Sequence, residues 1–304
     1  MNKHFTVSAP GSTLVTGEHA VIYGAPAVVA AIEQRATVHL RFTDDKTISI
    51  TSQIAPALKM PLEDVIPEGP YRFVLACVLA YKDQLTGGLE IDIRSEINHT
   101  LGLGSSAAVT VAMLAALNGA ASEDLHAQAL KIIRDLQGRG SGADLAASLF
   151  GGVLSYQIEG HGPAQMRPLP RPPQMSLFNV GYKTPTPEVL ALVAAAREKD
   201  PEGINAIFKK MKDISQQTID LISQDTWTGI GPHLAAYQDL MRRLGVSDDA
   251  LDAAAARAER TPDVIGAKIS GSGLGDCVLA IGSVPEGFQP VDLAHEGVVF
   301  HDDS

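Results

Sequence analysis

The sequence predicts an α+β chain folded into two lobes. Its 304 residues exceed one small domain and fall short of three. The patterns run β-rich first, helical in the middle, then helical again before a closing β-hairpin. Hydrophobic residues make up 45% and charged residues 19%, enough for a core and too little charge for disorder.

The elements follow in order. "HFTVSAP" and "STLVTG" are short β-rich runs split by Pro10 and Gly11, and "AVVAAIEQ", "ATVHLRF" and "TISITS" continue the pattern. Residues 54–70 carry four prolines and a glycine and predict a long loop. In "YRFVLACVLAYKDQL", Phe73, Val74, Cys77, Val78 and Tyr81 share a helical face. "LEIDIRSEI" alternates as a strand does. "SEDLHAQALKIIRDLQ" predicts a helix with Ser122 as N-cap and an apolar stripe of Leu125, Ala129, Ile132, Ile133 and Leu136. "GADLAASLF" reads as a short helix and "GGVLSYQI" as a strand. Five prolines and two glycines in 159–175 predict a loop there, with lobes of 1–165 and 166–304. "MSLFNVGY" opens the second lobe as a strand. Thr186 then caps a helix with Pro187 at its first position. Helices continue to about residue 260, followed by strand, Gly/Ser loop and strand in "VIGAKISGSGLGDCVLAIG". "GVVFHD" reads as an edge strand.

The formal net charge of -11 argues against nucleic acid or an anionic membrane as partner. Two cysteines, Cys77 and Cys277, lack metal-like spacing and read as buried free thiols of a reducing, cytoplasmic compartment. The N-terminus has no apolar segment of the signal-peptide kind, and the apolar run at 107–121 is too short to span a membrane. A homodimer is left open.

"HTLGLGSSAAVTVAMLAALNGAA", residues 99–121, places glycines and serines directly before a helix that is apolar on every side. A helix N-terminus has free N–H groups and a partial positive charge. Glycines let a phosphate approach the backbone, and serines add hydroxyl donors. An anion cradle is one reading; an ordinary strand-to-helix turn with Ser105 as N-cap is the other. No lysine follows as in a Walker loop, and no G-x-G-x-x-G follows a strand.

Two further segments decide between these readings. "APGSTLVTGEHAVIYGAPAVVAAI" (9–32) is a punctuated strand region with Glu18 and His19 at a turn, and "KISGSGLGDCVLA" (268–280) is a second Gly/Ser loop between strands. With the 99–121 segment they resemble, in order and spacing, the three motifs of the GHMP kinases. That family comprises galacto-, homoserine, mevalonate and phosphomevalonate kinases. The resemblance covers nearly the whole chain. It implies an N-terminal domain like the second domain of ribosomal protein S5, a ferredoxin-like C-terminal domain, and ATP with Mg²⁺ between them. It places Gly102, Leu103, Gly104, Ser105, Ser106 and Ala107 around the triphosphate, with the Ser106 hydroxyl on Mg²⁺. Gly271, Ser272 and Gly273 close over the site, and Glu18 and His19 lie at the acceptor.

The "GEH" motif looks like mevalonate kinase, while "QGRGSGADLAASLFGG" (137–152) and "GLGDC" look more like phosphomevalonate kinase. Two positions depart from the mevalonate kinase pattern. Ser12 stands where the first motif usually has lysine, and the position eleven before Asp144 is Ile133 rather than a Mg²⁺-binding Glu. Asp135 is near but lies about 200° around a helix from Ile133. An alcohol acceptor needs a positioned carboxylate with a cation beside it. A phosphate acceptor is already mostly a dianion and needs positive charge instead. The expected reaction is therefore phosphoryl transfer from ATP to 5-phosphomevalonate, with mevalonate kinase as alternative. Mevalonate diphosphate decarboxylase and a non-catalytic ligand-binding protein of the same fold are further readings. Asp144, Lys183 and Arg139 are the expected catalytic residues. Lys183 and Arg139 orient the acceptor phosphate, and Ser141 and Gly142 join Glu18, His19 and the third motif around the acceptor. His19 and Lys268 are weaker candidates for the cation, and Asp276 either hydrogen-bonds the loop beside it or serves the site.

Overall fold

The computed structural model describes residues 3–98, 101–122, 124–158, 160 and 162–302. His99 and Thr100, the first residues of the quoted Gly/Ser segment, lie outside the described residues. Two long antiparallel strands, β1 (His4–Thr16) and β2 (Ala27–Thr43), form the spine of the first lobe. The expected breaks are absent. Pro10 and Gly11 sit at a register shift inside β1, where an irregularity absorbs the proline without ending the strand. Along its length β2 serves two neighbours. Its 36–43 half pairs β5 (Gly88–Ser95), and its 27–30 half pairs β6 (Val153–Gln157).

The remaining strands of this eight-stranded sheet are β3 (Thr47–Ser52), β4 (Leu58–Pro61), β7 (Gln165–Leu169) and, returning from the far end of the chain, β12 (Val299–His301). Both expected proline-rich loops therefore contain a strand. Each is an edge strand, where a missing N–H costs no ladder bond: Pro61 ends β4 and Pro168 lies on β7. The final strand, β12, pairs β1 at the sheet edge, as its sequence predicts.

Helices α1 (Arg72–Tyr81), α2 (Ser105–Asn118), α3 (Leu125–Gln137) and α4 (Ala143–Phe150) belong to the first lobe. The second of these packs on β1, β2, α1, α3 and α4, which explains its lack of a polar face. Ser122 does not cap α3. The helix starts three residues later, with Asp124 at the cap position.

The second lobe holds β8 (Met175–Lys183), α5 (Thr186–Lys199), α6 (Pro201–Ser223), α7 (Gly231–Arg243), α8 (Asp249–Glu259), β9 (Val264–Ser270), β10 (Gly275–Gly282) and β11 (Gln289–Val291). Its antiparallel sheet runs β11-β8-β10-β9. Pro185, one residue before Thr186, is the cap position of α5. Alternation along β10 divides its side chains between two cores. Cys277, Leu279 and Ile281 join the core of the first lobe, while Val278 and Ala280 join the core under the C-terminal helices. Both faces of this sheet are thus buried, and the lobes share one apolar seam. Among the described residues no helix is long and apolar enough to cross a membrane.

Met113 in α2 is fully buried between helices and sheet. Met113→Ala is expected to lower unfolding free energy by about 2–5 kcal/mol, read by urea denaturation.

Candidate active site

The site grows from the start of α2. Gly102 (φ 72°) and Gly104 (φ 68°) both take the left-handed conformation. A side chain at Gly104 would strike the Ser12 hydroxyl at 2.2 Å, and one at Gly102 would strike Asp276 Oδ1 at 2.4 Å. Ser12 N–H donates to the Leu103 carbonyl at 3.0 Å, fastening the loop to β1. The first intrahelical bond runs from Ala108 N–H to the Gly104 carbonyl at 3.0 Å. Among the described residues the N–H groups of Ser105, Ser106 and Ala107 have no backbone partner, the arrangement that holds phosphate oxygens. Thr110 Oγ1 donates to the Ser106 carbonyl at 2.7 Å, and the Ser106 hydroxyl makes no hydrogen bond among the described residues.

Asp144 lies in the first turn of α4, half-buried. Ser12 Oγ donates to its Oδ1 at 3.0 Å. Burial raises the Asp144 pKa above the ordinary 3.8. The Ser12 bond and the Lys183 ammonium oppose that rise, and the Asp276 carboxylate adds to it. Lys183, at the end of β8, faces Asp276 Oδ1 at 3.3 Å. Asp276 is buried in the left-handed conformation (φ 60°) at the start of β10. Its Oδ2 accepts the Ser272 N–H at 2.8 Å and the Ser272 hydroxyl at 3.0 Å. Asp144, Lys183, Ser12, Asp276 and Gly102 therefore converge where the lobes meet.

Glu18 and His19 are buried just behind this point. The Glu18 carboxylate pairs with the fully buried Lys268 ammonium, which also lies 5.3 Å from the centre of the Tyr237 ring. Burial pushes Glu18 up and Lys268 down, and each charge counteracts the shift of the other. Tyr237 donates its hydroxyl to the Glu18 carbonyl at 2.9 Å. His19, at φ 59°, donates from Nε2 to the Ser272 carbonyl at 2.8 Å. Burial lowers its pKa to about 4, so the ring is neutral at pH 7. The "GEH" turn thus fastens the first lobe to the third motif.

Arg139 is exposed and lines a cleft of about 550 Å³ with Tyr23 and Arg197. Ser141 and Gly142 are held within the first lobe. Tyr156 donates to the Ser141 carbonyl at 2.6 Å, and His126 Nε2 donates to the Gly142 carbonyl at 2.9 Å. Gly271 and Gly273 shape the third loop. A side chain at Gly271 would meet Asp276 Oδ2 at 2.6 Å, and one at Gly273 the Val246 carbonyl at 2.0 Å. Asp135 points to solvent, paired with Lys131 at 2.6 Å, so α3 brings no carboxylate to the site through it. The sequence reading missed the Ser12–Asp144 bond and the burial of Lys268. A hydroxyl at the usual lysine position was the available signal for the first.

Residues 72–152 match the GHMP kinases N terminal domain, and residues 218–287 match the GHMP kinases C terminal. A mevalonate kinase of Archaeoglobus fulgidus is 34% identical over 299 residues, covering 96% of this chain and 98% of that protein. The chain belongs to the GHMP kinase family. It is an enzyme, a small-molecule kinase with ATP as phosphate donor. A mevalonate kinase of Pyrococcus horikoshii is 30% identical, covering 92% of this GHMP kinase and 89% of its own length. The solved Lin0012 protein of Listeria innocua superposes with a TM-score of 0.85 at 20% identity, over 99% of this chain and all (100%) of that one, and shares the fold. The expectation of a phosphomevalonate kinase is overturned by these mevalonate kinase relatives. Within the segment that suggested it, Gly142 answers to local packing: it is left-handed (φ 87°), and a side chain there would meet the Tyr156 hydroxyl at 2.6 Å.

Removing one member of a buried ion pair strands the other. Lys268→Met is expected to cost about 3–5 kcal/mol, and the double variant Glu18→Leu/Lys268→Met less than that single change, both read by urea denaturation.

Proposed function

We propose that this kinase transfers the γ-phosphoryl group of ATP to the primary hydroxyl of mevalonate. The observation that carries the reading is Asp144, a carboxylate of raised pKa with a cation beside it at the phosphate loop. An alcohol acceptor asks for such a base, whereas a phosphate acceptor does not. The mevalonate kinase relatives support the same acceptor. Arg139 is exposed beside Tyr23 and Arg197, and the Lys183 ammonium is paired with the Asp276 carboxylate.

The N–H groups of Ser105, Ser106 and Ala107 hold the triphosphate, and the left-handed glycines let it approach the backbone. The acceptor oxygen attacks the γ-phosphorus in line as the bond to ADP breaks. Its proton passes to Asp144 Oδ2, because Oδ1 already accepts from Ser12. Mg²⁺, when bound with the nucleotide, neutralises phosphate charge. Such ions take mostly phosphate and water oxygens, and the Ser106 hydroxyl at the helix start, unbonded among the described residues, fits the small share left to the protein.

Coupled ADP release is expected with Mg-ATP and mevalonate and not with 5-phosphomevalonate; the reverse pattern overturns the reading. Asp144→Asn is expected to lower kcat by about 10²–10⁴-fold with mevalonate. Because the base must be ionised and its pKa is raised, the acid limb of kcat should lie above pH 3.8, activity falling as pH drops through it. An acid limb at or below that value removes Asp144 as the base.

A further inference from the structure

We propose that Lys183, held by Asp276, supplies the fixed positive charge that the first motif lacks at position 12. The inference rests on the phosphoryl-transfer reading above and names the residue that completes its site.

The motif position is occupied by Ser12, buried and uncharged, whose hydroxyl is spent on Asp144. A hydroxyl orients the base but neither balances its charge nor meets the charge on a transferring phosphoryl group. The groups that act on or face Asp144 are Ser12 from β1, Tyr156 from β6, Lys183 from β8 and Asp276 from β10. Two of these four, Ser12 and Tyr156, offer only neutral hydroxyls, and Asp276 is a second carboxylate. Two carboxylates in one half-buried place do not both ionise without a cation, and Lys183 is the cation that acts here.

The backbone is shaped to put it there. Between β8 and β10 the register moves from Gly275↔Lys183 to Cys277↔Asn179, four residues on one strand against two on the other. Such a bulge re-aims the side chain at the strand end. Gly275 (φ 118°) permits it, since a side chain there would lie 2.6 Å from the Lys183 Cα. The ammonium then sits 3.3 Å from Asp276 Oδ1 and 3.4 Å from where a Gly102 side chain would begin. It therefore stands beside the Gly102 loop, and its charge is felt at Asp144. Its side chain keeps 25% exposure, against 2% for Asp276, so it stays open to the cleft while its partner is walled in. A lysine on the C-terminal lobe thus replaces one on the N-terminal lobe.

The test uses the full chain. Lys183→Met is expected to lower kcat on the order of 100-fold, with KM for Mg-ATP within about threefold. It should also move the Asp144 carboxyl titration, followed by ¹³C NMR, to higher pH. Lys183→Gln is read the same way if the Met variant does not fold. Lys183→Cys treated with 2-bromoethylamine regains a lysine-like ammonium. Cys77 and Cys277 are buried and spared. At least a tenfold recovery of kcat is expected over the untreated variant. An Asp144 titration that does not move, or a treated protein no faster than the untreated one, overturns the proposal. Turnover of mevalonate by the unmodified chain separately tests the underlying reading. If that turnover fails, the titration, which needs no acceptor, decides the role of Lys183.

Discussion

Everything at the cleft hangs on the Asp276 carboxylate. One of its oxygens ties down Ser272 by two hydrogen bonds, and the other faces the Lys183 ammonium. The same oxygen fills the space a side chain at residue 102 would need, so the phosphate loop must be glycine there. A buried carboxylate is costly unless it is bonded and paired. That cost is met by Lys183 from β8 and Ser272 from the third loop. Gly102 and Asp144 reach the same place from the first lobe, so the site is a property of the docked lobes, not of either lobe alone.

The Glu18–Lys268 pair serves the same docking from behind. Taking two ions out of water costs several kcal/mol each, so the pair adds little net stability. It does penalise any arrangement of the lobes that separates its members. The Tyr237 hydroxyl reaches the Glu18 carbonyl, and His19 reaches the Ser272 carbonyl. Together they hold the turn after β1 against the third loop. The apolar side chains that β10 contributes to the first core give that junction its cohesion. The polar groups give it its register.

The local part of the site was legible because its physics is local. Glycines and serines before a uniformly apolar run announce a buried helix with an open N-terminus, and the chain builds that at α2. Proline-rich stretches at 54–70 and 159–175 misled, because an edge strand tolerates proline and edges are defined by neighbours absent from the local pattern. Lys268 gave no local sign of its burial. Its partner is 250 residues away. Arg139, beside the central motif in sequence, is exposed next to Tyr23 and Arg197.

The sequence by itself determined the two-lobed α+β fold, the Gly/Ser start of the buried helix α2 and Asp144 at the head of α4, since each depends on residues near one another in the chain. Only the tertiary structure decided which charges meet. Ser12 lies 132 residues from Asp144, and Lys183 is brought to Asp276 by a strand bulge. Electrostatic interactions act through space and strengthen with burial. The composition of a charged site is therefore fixed when the lobes close around it.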